Sequence, residues 1–369
     1  MPGVSNGEIL AMNEKKNSDR KDDALPPELE RYSRQIRFPG IGLEGQQRLG
    51  KSKVLLVGCG ALGSVIANTL VRAGVGHLRI VDRDYLELSN LQRQVLYDEE
   101  DVRLGLPKAI AAAKKLNVIN SSVVIEPIVG DLSATNIESH CENVDVIVDG
   151  TDNFETRFLI NDVSIKRSIP WVFGGCLGSD GQSMTILPGE SACLNCLMLD
   201  GPPPPGTTAT CDSFGILGPI INIVASLQAS EAMKILSGNR DQVNRHLSIV
   251  DLWNGVLRTM DVSKLRESVD CPACNRNEFE WLSGRRGSQS AVLCGRNAVQ
   301  LSFVDGQPIS LKEVADRLEG VAEVEANEYL LRFTVDGFKV TAFPDGRAIV
   351  VGTEEIAVAK KLYAQYLGF

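Results

Sequence analysis

The sequence predicts an α/β fold: a doubly wound, mainly parallel sheet that continues into an antiparallel part, followed by a small C-terminal α+β domain. Three observations lead there. Short apolar runs alternate with helical patterns through the first half of the chain, the pattern of parallel strands joined by crossover helices. A glycine-rich turn, Gly58-Cys-Gly60-Ala-Leu-Gly63, joins the first of these runs to the first helix. Beyond Gly181 the texture changes to separate strands, a long apolar helix and an Asn254-Gly255 turn.

In order, Pro26-Pro27 precedes a helical stretch from Glu28 to Arg34. Lys53 to Val57 is a short apolar run suited to a strand buried on both faces, and a helical pattern runs from the glycines to Gly74. His77 to Asp82 is a second strand ending in an acid. A helix from Pro107 to Asn117 opens on proline, which is favoured at the first helical position. Val123 to Pro127 and Asp145 to Asp149 are the third and fourth strands, the helix Asn153 to Lys166 follows, and Trp171 to Phe173 is the fifth strand. Then come a strand from Gln182 to Leu187, a proline loop at Gly201–Gly206, a helix from Leu217 to Leu236, and an antiparallel pair, Leu247–Asp251 with Val256–Met260. Past Ser283–Gly287 the pattern is a strand (Ala291 to Leu301), a helix (Leu311 to Leu318), alternating strands (Tyr329 to Val351) around a Pro344-Asp-Gly346 turn, and a last helix (Glu354 to Tyr366). The expected division is 1–27 as a disordered lead-in, 28–280 as the main domain and 285–369 as the small one.

Composition narrows the function classes. Of 369 residues, 43% are hydrophobic and 23% charged, ordinary for a soluble globular chain. A net charge of −9 argues against coating nucleic acid, which wants a basic surface. No run approaches the roughly 18 apolar residues of a membrane helix. The polar first two dozen residues lack the apolar centre of a signal peptide, so the expected location is the cytoplasm.

Gly58, Gly60 and Gly63 permit a tight strand-to-helix turn, close approach of a ligand to backbone, and access to free N–H groups at a helix start. Asp82, ending the next strand, sits where an acid accepts ribose hydroxyls. Together these are a Rossmann-like dinucleotide signal, and alone they favour an NAD-dependent oxidoreductase. The next segments favour a triphosphate. Asp84 lies two residues past Asp82, and Asn90, Arg93 and Lys108 supply donors and positive charge. Asp152 follows the fourth strand, where open α/β sheets place ligands and a carboxylate can hold Mg²⁺. Asn153, Arg157 and Asn161, spaced four apart, share one helix face along that site, unless the face is merely solvated.

Two C-x-x-C pairs, Cys193/Cys196 and Cys271/Cys274, stand out among nine cysteines. Brought together they would make a closed tetrahedral zinc site; the rival is a redox dithiol.

The segments Arg31-Tyr-Ser-Arg-Gln-Ile36, Val54 to Gly63, Asp82-x-Asp84 with Ser89-Asn-Leu-Gln-Arg-Gln94, Pro107-Lys108 and Thr151-Asp-Asn-Phe-Glu-Thr-Arg157 resemble, in order, the MoeB/ThiF family of ubiquitin-activating-like adenylyltransferases. The resemblance runs from about Glu28 to Asn275, with one departure, Ala61, where many relatives carry a further glycine. It implies ATP-dependent adenylation of the C-terminal glycine of a ubiquitin-like sulfur-carrier protein ending in Gly-Gly, ahead of sulfur transfer. It further implies that Asp82 binds the ATP ribose, that Asn90, Arg93 and Lys108 hold the phosphates, and that Asp152 coordinates Mg²⁺. Arg34 is similar to an arginine that reaches into a partner subunit's ATP site, which implies a homodimer with shared sites, and the four paired cysteines hold structural Zn²⁺.

Cys211 falls on the family's crossover loop, where some members form a thioester or acyl-disulfide link; the alternative is a plain loop cysteine. A sulfurtransferase or cysteine desulfurase stands as a further partner class, with neither nucleic acid nor membrane among the expected partners. Some relatives end in a rhodanese domain, but Cys294-Gly-Arg296 lacks the six-residue loop opening Cys-Arg that such a domain uses, and Cys294 suits a strand core. A non-catalytic scaffold, the remaining alternative, would be expected to have lost Arg93, Lys108 or Asp152.

Overall fold

The computed structural model describes residues 25–202, 214–286, 290–293, 297–301 and 309–368. Most of the expected lead-in, the proline loop beyond Pro202, Cys211 and Cys294 lie outside the described residues.

Strands β1 (Lys53–Val57), β2 (His77–Asp82), β3 (Val124–Val129), β4 (Val146–Asp149), β5 (Trp171–Leu177), β6 (Asp180–Ile186), β7 (Leu247–Asp251) and β8 (Val256–Met260) form one eight-stranded sheet in the order β3-β2-β1-β4-β5-β6-β7-β8. The pairings from β3 to β5 are parallel and those from β5 to β8 antiparallel. The strand order therefore reverses between β1 and β4, the position at which such sheets open a ligand crevice beyond their carboxyl ends.

Alternation along β1 explains the layers. Val54 and Leu56 point to a core shared with helices α1 (Ala61–Ala73), α2 (Lys108–Ile119) and α4 (Gly218–Leu236). Leu55 and Val57 point to the opposite core, shared with helix α3 (Phe154–Arg167), Trp171 and Trp281. Burial on both faces is what makes these strands continuous apolar runs.

One expectation is corrected by local sterics, and one helix was not expected at all. The fifth strand does not stop at Phe173, because Gly174 continues it: a Cβ there would overlap the Gln228 side chain, which crosses the strand. That side chain donates to the Asp149 carbonyl (2.7 Å) and ties α4 to the tip of β4. A helix at Gly42–Leu49, unexpected for its two glycines, docks through its own Gln46, whose amide donates to the Ala73 carbonyl as that of Gln35 does.

The remaining strands form a second, antiparallel sheet, β11 (Val324–Ala326), β12 (Leu331–Val335), β13 (Phe338–Ala342), β14 (Ala348–Val351), β10 (Ala298–Leu301) and β9 (Ser290–Leu293), in that order. The single run expected from Ala291 to Leu301 is thus a pair of strands. Helices α5 (Leu311–Leu318) and α6 (Ile356–Tyr366) cover one face. The other face rests on the loop after β2, with Tyr85 packed among Ala298, Leu330, Phe343 and Ile349.

Candidate active site and four-cysteine centre

At the carboxyl ends of β1 and β4 the backbone closes on itself. Gly58 has φ +82 and its amide donates to the Val81 carbonyl, while the Gly150 amide donates to Val57. A Cβ on Gly63 or on Gly150 would overlap the Gly58 carbonyl oxygen, so these positions are required by packing alone. Gly60 differs. A Cβ there would meet only Gln94 Nε2 at 3.7 Å, so packing does not demand glycine; the open space lies at the N-terminus of α1. Gln94, buried beside it, leaves its Oε1 without a hydrogen-bond partner. An orphaned buried acceptor beside free helix N–H groups fits a polar ligand in this crevice.

Asp82 is buried, with Oδ2 accepting the Cys59 amide (2.5 Å) and Oδ1 the Asp84 amide (2.7 Å). Burial pushes its carboxyl up, while the Lys108 ammonium pulls it down. Lys108, buried on the first residue of α2, holds Asp84 Oδ2 at 3.0 Å. Asn90 is buried and its Oδ1 accepts the Glu87 amide (3.0 Å), which shapes its own turn. Arg93 is half-buried, with Nη1 on the Ser89 carbonyl (2.9 Å). Asp152 is exposed beyond β4, and Asn153 caps α3 by accepting the Glu155 amide (2.8 Å). Arg34 is exposed on the short helix Ser33–Ile36, whose Tyr32 and Ile36 neighbours are buried. Burial pushes the Cys59 thiol up to about 12, so this cysteine beside the glycine loop is no nucleophile at neutral pH.

The expected face of Asn153, Arg157 and Asn161 divides three ways. Arg157 does not point along the crevice. It is buried, its Nε 3.1 Å from Asp149 Oδ2 and its Nη2 on the Thr151 and Gly174 carbonyls. Its guanidinium lies over the Phe154 and Phe173 rings. It locks the tip of β4 and thereby places Asp152. Asn161 is turned to the cysteines instead, with Oδ1 accepting the Leu194 amide (2.9 Å). The sequence reasoning assigned no role to Arg83, which lies between the two acids it singled out. Arg83 Nη1 is 2.9 Å from Asp131 Oδ2, and the charges of Asp131, Asp84 and Asp152 raise its pKa against the opposing effect of burial.

Cys193, Cys196, Cys271 and Cys274 converge on one point, their sulfurs all within 4.8 Å of one another. Three separations are 3.7, 3.6 and 3.3 Å. A tetrahedron with metal–sulfur bonds of about 2.3 Å has edges of roughly 3.8 Å, so the donor set fits one four-coordinate metal ion. Hydrogen bonds from Cys196 and Cys271 push the Cys193 thiol up, and bonds from Cys193, Cys196 and Cys274 pull Cys271 down. Packed this closely, the sulfurs share little negative charge unless a cation joins them.

Asp162 clamps the segment that follows. Its Oδ2 accepts the Trp281 and Leu282 amides (2.9 and 3.2 Å) and its Oδ1 has no partner. Burial pushes this carboxyl up to about 7, against those two amides, from an ordinary 3.8. A folded-state pKa above the unfolded one favours the fold at low pH, and that contribution is lost as pH rises from about 4 to about 7. Asp162→Asn keeps an acceptor for both amides and carries no charge. Its melting temperature is expected to match wild type at pH 4 and exceed it by several degrees at pH 8, bounded by about 4 kcal/mol. Differential scanning fluorimetry across that range checks this; a pH-independent difference would contradict it.

Comparison with known proteins follows the same lines. The ThiF family profile matches residues 32–273. The chain is 42% identical over 339 residues to the sulfur carrier protein ThiS adenylyltransferase of Bacillus subtilis, covering 92% of this chain and 99% of that protein. It is 40% identical to the sulfur carrier protein adenylyltransferase of Thermus thermophilus, over 67% of this chain and 91% of the relative. Among solved structures, E. coli MccB with ATP superposes with a TM-score of 0.60 at 18% identity, over 74% of this chain and 82% of that one, a likeness of fold. On the profile match and on identity that runs along nearly the whole chain, this protein belongs to the ThiF family.

Proposed function

We propose that the chain is an ATP-dependent adenylyltransferase acting on the C-terminal glycine of a ubiquitin-like sulfur-carrier protein. The observation that carries this is the 42% identity, over 99% of its length, to a relative named for that activity on ThiS. The family match supports reading the glycine loop and Asp82 as part of an ATP site rather than a nicotinamide site. Gly58, Gly60, Gly63 and Asp82 would seat the adenosine, and Asp84, Asn90, Arg93, Lys108, Asp152 and Asn153 would line the phosphates. Mg²⁺, held by Asp152, would neutralise charge on the departing pyrophosphate. A carboxylate oxygen of the carrier's last glycine attacks the α-phosphorus, the bond to the β-phosphate oxygen breaks, and pyrophosphate leaves with that electron pair. The product is a glycyl-adenylate, and the step needs positioning and charge stabilisation rather than a protein nucleophile.

Arg34, exposed on an otherwise docked segment, would reach a second copy's site in a homodimer. The four cysteines would hold structural Zn²⁺, with no coordination position left open. Cys211, if it is more than a loop cysteine, would attack the glycyl carbonyl of the adenylate, forming a thioester as the acyl–phosphate bond breaks and AMP leaves. A sulfurtransferase or cysteine desulfurase would supply the sulfur. Boundaries at 28–280 and 285–369 would divide the chain into a catalytic and a small C-terminal domain, a division that the separate second sheet supports. Among the described residues no helix is long and apolar enough to cross a membrane.

The test is exchange of labelled pyrophosphate into ATP by zinc-loaded protein, with a panel of carriers ending in Gly-Gly. Exchange is expected only when a carrier is present, with a ThiS-like carrier the best substrate, and should fall at least tenfold in Asp152→Ala. Folded protein that exchanges with no carrier would sink the proposal.

A further inference from the structure

We propose that the C-terminal sheet is a positioning element of the nucleotide site, with Arg332 and Gln300 holding the ribose and phosphate wall in place. The inference rests on the nucleotide reading above and adds a role for the residues that follow the family match.

The register of the second sheet sets up the contact. Arg332 on β12 pairs with Thr341 on β13, Thr341 with Ile349 on β14, and Ile349 with Gln300 on β10. These four residues form one row across the face opposite α5 and α6. The two ends of the row grip two different loops of the first sheet. At one end the Arg332 guanidinium lies 3.9 Å from the centroid of the Tyr85 ring. At the other, Gln300 Nε2 donates to Asp131 Oδ2 at 2.9 Å, the same oxygen that Arg83 Nη1 reaches at 2.9 Å. A third point of attachment is Asn327, whose Nδ2 donates to the Gly105 carbonyl (3.3 Å).

What these loops carry gives the contacts their consequence. Tyr85 forms an isolated bridge with Pro107, and the Lys108 amide donates to the Asp84 carbonyl (2.9 Å). The segment from Asp82 to Leu86 is therefore zipped to the segment that delivers Lys108. Its outer side, Tyr85, has the C-terminal sheet for a wall. The Arg332 cation is set against that ring with Nε and Nη2 buried and unpartnered. A desolvated guanidinium over a ring face is a directional contact, stronger than the same pair in water. Gln300 acts on the other side. By sharing Asp131 Oδ2 it fixes the carboxylate that holds Arg83 beside Asp84. Neither Arg332 nor Gln300 lies among the residues proposed to touch ATP, so both act through others, first of all on binding.

The experiment compares full-length wild type, Arg332→Met, Arg332→Lys and Gln300→Leu. Equilibrium dialysis gives the dissociation constant of Mg·ATP, and pyrophosphate exchange gives KM and kcat. Arg332→Met is expected to raise the dissociation constant and KM for ATP at least fivefold, with a fall in kcat smaller than that rise and KM for the carrier within twofold of wild type. Arg332→Lys, which keeps a cation over the ring, should return ATP affinity to within about twofold. Gln300→Leu should raise the dissociation constant at least threefold. ATP affinity within twofold of wild type in folded Arg332→Met overturns the proposal and leaves the sheet a merely packed neighbour. Should Arg332→Met lose cooperative unfolding, Gln300→Leu decides, and a change below threefold overturns it. Wild type that fails to bind Mg·ATP at all is a different result: it removes the nucleotide reading and this inference with it.

Discussion

Lys108→Met is expected to cut carrier-dependent pyrophosphate exchange by about a thousandfold while leaving the fold in place. Lys108 starts α2 and is buried, and its ammonium pairs with the Asp84 carboxylate at 3.0 Å. A buried ammonium is costly to hold and is retained where its charge is used. Here it lies against the acids at the carboxyl end of β2, paired with Asp84 and drawing on the Asp82 carboxyl. When a triphosphate enters, its charge competes with Asp84 for the ammonium. The interaction then strengthens as negative charge builds on the leaving pyrophosphate, which is the condition for lowering the barrier rather than merely binding substrate. Removing one such donor in other enzymes costs about 10²–10³ in kcat, and a full charge stands at the upper end. Methionine keeps the length and apolar stem, so loss of packing is minor. Asp84 then lacks this cation, and the measured melting temperature should fall by only a few degrees. A loss below tenfold with saturating carrier would remove Lys108 from the catalytic set.

The parts of this protein that were legible in its sequence are those where one residue type answers one local demand. The turn from β1 into α1 needs glycine at Gly58 for its positive φ and at Gly63 for contact with the Gly58 carbonyl, and both stand in the motif. Cysteine pairs separated by two residues converge because a shared ligand set has few other geometries. Residues whose roles depend on distant chain were not legible. Arg157 and Asn161 share a helix face by spacing, but Asp149 captures one and the loop of Cys193 the other. The extension of β5 through Gly174-Gly175 was hidden because two glycines read as a break. The signal that could have exposed it was Gln228, a polar residue inside an otherwise apolar helical stripe. The docking of the second sheet depends on a register across four strands and on Tyr85, which no local pattern marks.

The four-cysteine centre carries the second large expectation. Stripping the metal with a strong chelator, or replacing Cys271 by serine, should lower the melting temperature by 10 °C or more and release one zinc per chain. The reason lies in how little else holds the region from Val262 to Arg286. The helix there, Leu265–Ser268, is only four residues long and has no buried residue. Its attachments are Val262, Cys271, Ala273, Trp281 and Leu282 in the core around α3, the Trp281 stack on Phe158 (5.3 Å), and the Asp162 clamp. Without a cation, the four sulfurs hold little charge in so small and apolar a space, and only weak thiol contacts draw them together. Binding free energy of a structural zinc is then folding free energy for this region. The loss should begin there and spare the parallel strands, whose cores are built on β1 and β4. Trypsin should accordingly cut the stripped protein first at Lys264 and Arg276, both exposed, before the helices α1 and α2 become accessible. Cys141→Ala is the control. Cys141 is buried in the same apolar layer but is not among the clustered sulfurs, so its removal should cost about 1 kcal/mol and no metal. Protein that melts unchanged after chelation, or that holds less than a tenth of an equivalent of zinc as purified, would show that the four thiols close this fold without an ion.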